Sequence, residues 1–133
     1  METYPSDENL DDSIDDAARN YLQQCKDSLH APSGAVMLAA SAVDAMLKAK
    51  GYKDGSLYQR IKDAADGHLI TDDMATWAHQ VRLDANDQRH ADESAQFPTT
   101  EEAQRSLDFA LALAEILFVL PARVTRGLQE SVN

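Results

Sequence analysis

A stretch in the middle of the chain contains the side chains best suited to chemistry: two histidines, two arginines and an asparagine. On an α-helix, which advances about 100° per residue, Arg82, Asn86 and His90 fall at positions i, i+4 and i+8. Around the helix axis, Arg89 lies about 20° from Arg82, and His79 falls between Asn86 and His90. These five side chains therefore share an arc of about 100° on one face of the predicted helix.

Such a face can serve phosphodiester cleavage without a metal ion. The imidazole of His90 can remove a proton from a ribose 2′-hydroxyl or protonate the leaving oxygen. The guanidinium of Arg82 can hold the phosphate through two hydrogen bonds and stabilise its developing charge, while Asn86 orients either group. His79 and Arg89 are then additional binding residues. The competing interpretation is structural, because such residues often join helices through hydrogen bonds or simply face solvent.

No metal ion and no cofactor are expected. His79 and His90 are eleven positions apart, a rise of about 16 Å along a helix axis, which is too far to share one ion. The chain contains no glycine-rich phosphate loop and no nucleophile elbow. Its single cysteine, Cys25, excludes an intramolecular disulfide and a thiolate zinc cluster, and its place on an apolar helical stripe predicts a core residue.

The net charge of −11 is concentrated at one end of the chain. Residues 1–16 contain seven acidic and no basic residues, which leaves −4 for residues 17–133. An acidic terminal run is typical of a solvated segment, and we expect residues 1–9 to be a disordered leader. An alternative role for this acidity is mimicry of a nucleic acid. Binding of a nucleic acid itself is disfavoured by the charge, except at a local basic groove.

Length and composition predict one all-α domain. A chain of 133 residues with 44% hydrophobic but only 6% aromatic residues favours closely packed helices over sheets. It contains no apolar run of 18 residues, and its N-terminus is acidic where a signal peptide is basic. We therefore expect a cytoplasmic protein without membrane contact, with an interaction domain over residues 10–128 and a C-terminal tail over 129–133.

Hydrophobic periodicity predicts an up-and-down bundle of four main helices and one short helix. A capping box formed by Thr99 and Glu102 should begin the last helix, which Pro121 ends or kinks and for which Gly127 is the last stop. The predicted helices cover residues 10–29, 32–50, 57–65 and 72–89, with the last one beginning at residue 100.

The second predicted helix is apolar on almost every side, which indicates the buried centre of the bundle. Its one acidic residue, Asp44, needs a cationic partner if it is buried, because an unpaired buried carboxylate costs several kcal/mol. Arg82 or another arginine is the expected partner; the alternative is that Asp44 faces water. On the fourth helix, the apolar side should pack into the core with Trp77, Ala78 and Val81.

Three segments resemble the domain of unknown function 4145 family. They are Ala35-Val-Met-Leu-Ala-Ala-Ser-Ala-Val-Asp-Ala-Met-Leu-Lys, the helix with Leu57 and Ile61, and Trp77-Ala-His-Gln-Val-Arg82 followed by Asn86 and His90. The resemblance covers residues 17–121. It implies an all-helical protein found beside restriction endonucleases and other bacterial or phage defence proteins. It also implies a distant similarity to HEPN domains, which are dimeric bundles that in many cases cleave RNA without metal, using an arginine and a histidine.

One departure from the HEPN ribonuclease pattern decides between the functional interpretations. Asn86 and His90 match its second half, but Ala85 stands where the arginine usually precedes the polar residue, and Arg82 lies one turn earlier. We therefore expect a HEPN-like interaction or regulatory module without strong catalytic activity, forming a homodimer or docking onto a protein partner. The alternatives are a metal-independent endoribonuclease using Arg82 and His90, and an acidic inhibitor that mimics nucleic acid.

Overall fold

The computed structural model describes residues 10–90 and 97–132, without the side chains of Arg89, His90 and Val132. Within these ranges all regular structure is helical, so the predicted all-α bundle is confirmed. No helix in the described ranges combines the length and apolarity needed to cross a bilayer. The elements are α1 (Asp16–Asp27), α2 (Pro32–Ala49), α3 (Leu57–Asp66), α4 (Asp72–His90), α5 (Thr100–Ala114), a π-helical segment (Glu115–Val119) and α6 (Leu120–Val132).

Short polar side chains determine where the helices begin. The predicted capping box is present, since the Thr99 hydroxyl accepts from the Glu102 N–H and the Glu102 carboxylate accepts from the Thr99 N–H. The predicted start of the first helix at residue 10 is wrong. Asp15 caps α1 by accepting from the Ala18 N–H, and Asp11 instead accepts the Ser13 N–H in a preceding turn. Asp15 thus satisfies a donor in the first turn of α1, and Asp11 satisfies one in the turn before it.

Helix α2 is the centre of the bundle, as its sequence predicts. It packs against α1, α3, α4 and α5, and it buries residues on nearly all of its sides. Cys25 of α1 is fully buried, and its thiol donates to the Ala35 carbonyl at 3.2 Å. Burial raises the pKa of this thiol to about 11, so Cys25 is the core residue expected from the sequence. The largest fully buried side chains are Phe109, Leu22, Met46, Leu47, Ile61 and Leu113.

The last helix continues beyond Pro121 because a π-helical turn precedes the proline. Proline has no N–H, so the Leu117 carbonyl lacks its usual α-helical donor, and the Leu120 N–H donates to Glu115 five residues back. The chain then continues as α6, and the predicted stop at Gly127 is wrong. A glycine inside an exposed helix costs only about 1 kcal/mol relative to alanine, which does not end a helix that already has its N-terminal turns formed.

A buried ion pair joins α3 to α2. Arg60 is 8% exposed, and its Nε and a terminal guanidinium nitrogen donate to Asp44 Oδ1 at 2.8 and 2.5 Å. Lys48 Nζ lies 3.1 Å from Asp44 Oδ2. The guanidinium also donates to the Gly55 carbonyl, in a turn where a φ of 78° requires glycine. Arg60 therefore orients the first turn of α3.

Replacing Asp44 with alanine should destabilise the fold by about 2–3 kcal/mol, because it leaves the Arg60 guanidinium buried without its carboxylate. Asp66→Ala is the matched control, since it removes the carboxylate of an exposed pair with Lys62 at 3.0 Å and should cost less than about 1 kcal/mol. Chemical denaturation followed by circular dichroism measures both. Equal losses for the two variants would contradict a structural role for the Asp44–Arg60 pair.

Candidate functional site

The helix that carries the predicted site residues is continuous. Helix α4 runs without interruption from Asp72 to His90, so Arg82 and Asn86 project from one face as the sequence predicts. Ala78 and Val81 are buried on the neighbouring side of the helix, which faces the core. Trp77 is not in the core as predicted: it is 43% exposed and contacts the edge of the bundle through Phe109, with ring centroids 5.0 Å apart.

Arg82 and Asn86 line a shared cleft where α4 meets the first turn of α3. The cleft has a volume of about 170 Å³ and also has a wall from α2. Because α3 begins at this point, its first backbone N–H groups lack acceptors within the helix and give the cleft a positive end. The complete lining is Ala40, Ser56, Leu57, Tyr58, Arg82, Ala85 and Asn86.

Tyr58 brings Arg82 and His79 together. The Arg82 guanidinium carbon lies 5.3 Å from the centroid of the Tyr58 ring, which is within the range of a cation–π interaction. The His79 ring lies 4.9 Å from the same ring, centroid to centroid. Sequence reasoning did not identify Tyr58, because nothing in the spacing of residues along the chain relates the start of α3 to α4.

Two buried nitrogen atoms at this site have no hydrogen-bond partner among the described residues. They are Arg82 Nε and His79 Nδ1. A buried polar atom without a partner costs about 1–3 kcal/mol, so native proteins retain few of them, and such atoms are common at functional sites. Arg82, which lines the cleft, therefore has a donor that no described residue uses.

The surroundings of His79 favour its neutral form. Burial lowers the pKa of its imidazole below the usual 6.5, and the nearby positive charge of Arg82 lowers it further. A neutral imidazole has one donor and one acceptor nitrogen. His79 can therefore adjust its proton position to a neighbouring group without adding charge to the cleft.

The remaining predicted site residues are not part of the described cleft. The side chains of Arg89 and His90 lie outside the described residues, so their predicted binding and catalytic roles stay predictions. Along the helix axis, His90 follows Arg82 by about 12 Å. The expected pairing of Asp44 with Arg82 is wrong, whereas the alternative of another arginine is right, because Arg60 takes that carboxylate.

A second unusual surface lies on the C-terminal helix. Ile116, Leu120, Val124 and Leu128 are 40%, 47%, 53% and 63% exposed, respectively, and follow one another at i+4 spacing; we call them the α6 stripe. Helix α6 makes its main contacts with the π-helical segment alone. Sequence reasoning missed this stripe because Pro121 and Gly127 were interpreted as stop signals, although the spacing itself was visible.

Fold and cleft together define a small all-α domain with a small cleft that contains an arginine and an exposed apolar stripe on its last helix. A family model described as "Domain of unknown function (DUF4145)" matches residues 14–131. The chain therefore belongs to this family, as its motifs indicate. No curated protein matched the chain, and no solved structure matched it.

The lowered pKa of His79 predicts a specific dependence of stability on pH. In the unfolded chain the pKa of His79 is near 6.5. At pH values between the folded and the unfolded pKa, the unfolded state binds more protons than the folded state. The free energy of unfolding therefore falls as the pH falls through this window. Urea unfolding at pH 7.5 and pH 5 should show a smaller acid loss for His79→Gln than for the wild type.

Nuclear magnetic resonance titration provides the direct measurement. The imidazole of His79 should titrate below 6.5, and Arg82→Gln should raise that pKa without restoring the usual value, because burial remains. A His79 pKa at or above 6.5 in the wild-type protein would contradict the described environment.

Proposed function

We propose that this chain is a helical interaction module that forms a homodimer through α6 and has a regulatory role without strong catalytic activity. The proposal includes the HEPN-like and defence-related character expected from the sequence, and a cytoplasmic location. The observation that carries it is the α6 stripe. Its four apolar side chains are between 40% and 63% exposed and follow one helical face.

The stability of α6 supports association with another surface. Helix α6 continues directly from the π-helical segment, and its main contacts are with that segment. Most helical stability in proteins comes from packing of an apolar face, and the described bundle leaves the α6 stripe exposed. A partner that covers the stripe supplies this missing packing.

Charge and symmetry favour a second copy of the chain as that partner. Helix α6 contains Arg123, Arg126 and Glu130, which gives it a net charge of +1, whereas α4 and α5 each carry −2 and the whole chain −11. A charge of only +1 on α6 gives two acidic chains little repulsion at this surface. In a two-fold dimer the same patch faces itself, and an uncharged apolar stripe is complementary to its own copy.

Sedimentation velocity over a range of protein concentrations tests the proposal. The wild-type chain should be dimeric at micromolar concentrations, and Val124→Glu should raise the dimer dissociation constant at least tenfold, because it places a carboxylate in the middle of the apolar interface. Gln129→Glu adds the same charge to α6 away from the stripe and should change the constant less than threefold.

Circular dichroism of each variant establishes that the bundle remains folded, since Val124 is more than half exposed in the single chain. A wild-type chain that remains monomeric across the concentration range, or equal effects of the two substitutions, would overturn the proposed dimer. A complex with a different protein but no self-association would assign the stripe to that partner and also reject the dimer.

A further inference from the structure

We propose that the cleft between α3 and α4 binds a single terminal phosphate group, either inorganic phosphate or the end of a phosphomonoester, through Arg82 and Asn86. This site is separate from the α6 stripe, because its walls come from α2, α3 and α4. The proposal concerns binding alone and includes no chemical step.

The donors at the cleft are those that a phosphate group requires. Arg82 Nε is buried without a partner among the described residues, and a guanidinium can give two parallel hydrogen bonds to phosphate oxygens. Asn86 lines the same cleft one helical turn later, and its amide group supplies further donors. The first turn of α3 adds backbone N–H groups that favour an anion.

Charge at the cleft favours an anion over a neutral ligand. Arg82 has no ion-pair partner among the described residues. Asp44, the half-buried carboxylate that the sequence suggested as its partner, is paired with Arg60 and Lys48 instead. The described contact of the Arg82 guanidinium is the face of the Tyr58 ring, which orients the charge but does not neutralise it.

The size of the cleft selects a single small group. Its volume of about 170 Å³ is several times the roughly 30 Å³ that one water molecule occupies. It is well below the 300–1,000 Å³ or so of pockets that enclose whole drug-sized ligands. A tetrahedral anion fits this space, whereas a nucleotide fits only by its phosphate.

The surroundings favour a terminal group over a phosphate inside a polymer. A phosphodiester continues on both sides, and a polynucleotide carries many charges that a chain of net charge −11 repels. Walls from three helices leave room for the end of a ligand. A terminal phosphate also carries more negative charge than a diester, which strengthens its interaction with one guanidinium.

Titration of the ¹⁵N-labelled full chain with inorganic phosphate at low ionic strength tests the proposal. The amide resonances of Leu57 and Tyr58 and the Arg82 Nε–H resonance should shift and saturate at millimolar phosphate. Arg82→Gln should weaken this binding at least tenfold, as read from the two amides. Arg105→Gln is the matched control, because Arg105 is an exposed arginine of α5, and it should bind phosphate within twofold of the wild type.

Asn86→Asp gives an independent test if Arg82→Gln does not fold. It keeps the shape of the side chain but adds a negative charge to the cleft, so phosphate binding should again fall at least tenfold. The absence of a saturable shift in the wild-type chain would overturn the proposal. Wild-type affinity in a folded Arg82→Gln or Asn86→Asp variant would also overturn it.

Three further ligands test whether the cleft is specific for a terminal phosphate and whether that phosphate is the free ion or part of a monoester. Acetate that binds as tightly as phosphate, or an oligonucleotide with only internal phosphodiesters that displaces phosphate, would each contradict a terminal-phosphate site. Phenyl phosphate separates the two sources. Tighter binding than inorganic phosphate assigns the site to monoesters, and equal or weaker binding assigns it to the free ion, and both results support phosphate recognition.

Discussion

The ion pair between Asp44 and Arg60 is the interaction on which the candidate cleft depends. Helix α3 has only ten residues, too few to be stable in isolation, so contacts with its neighbours must hold its first turn in place. Arg60 provides one of them by joining Asp44 of α2 and the Gly55 carbonyl at the same time. The ring of Tyr58, two residues earlier, is thereby placed against Arg82 and His79. The Asp44–Arg60 ion pair, which lies outside the cleft, thus positions the Tyr58 ring that forms one wall of the cleft.

Two arginines of one bundle illustrate how the same side chain acquires different roles. Arg60 is almost fully buried, and its charge is matched by a carboxylate and a carbonyl, which is the arrangement that makes a buried guanidinium tolerable. Arg82 is partly buried and lies over an aromatic ring, with its Nε unused by the described residues. The first arginine pairs within the fold, and the second has a hydrogen-bond donor that no described residue uses, which is the donor that we assign to a ligand.

The cleft and the α6 stripe are chemically and spatially distinct surfaces. The cleft is small, contains the charged side chain of Arg82 and is built by α2, α3 and α4, whereas the stripe is apolar and extends past Pro121 from the end of α5. The π-helical turn accommodates the absence of an N–H on Pro121, so the helix continues and carries the α6 stripe. The proposed recognition of a small anion and the proposed association of two chains can therefore be tested independently by mutation.

Local sequence was sufficient for the parts of this protein that depend on neighbours along the chain. The periodicity of α2, the capping box at Thr99 and the shared face of Arg82 and Asn86 follow from helical geometry, which repeats every few residues. The partner of Asp44, the exposure of Trp77 and the place of Tyr58 beside Arg82 depend on how α3 and α5 pack. Such contacts join residues far apart in sequence, and several arginines were equally eligible by pattern. The packed bundle decides among them, because it buries Arg60 beside Asp44 and an unpaired buried charge is costly.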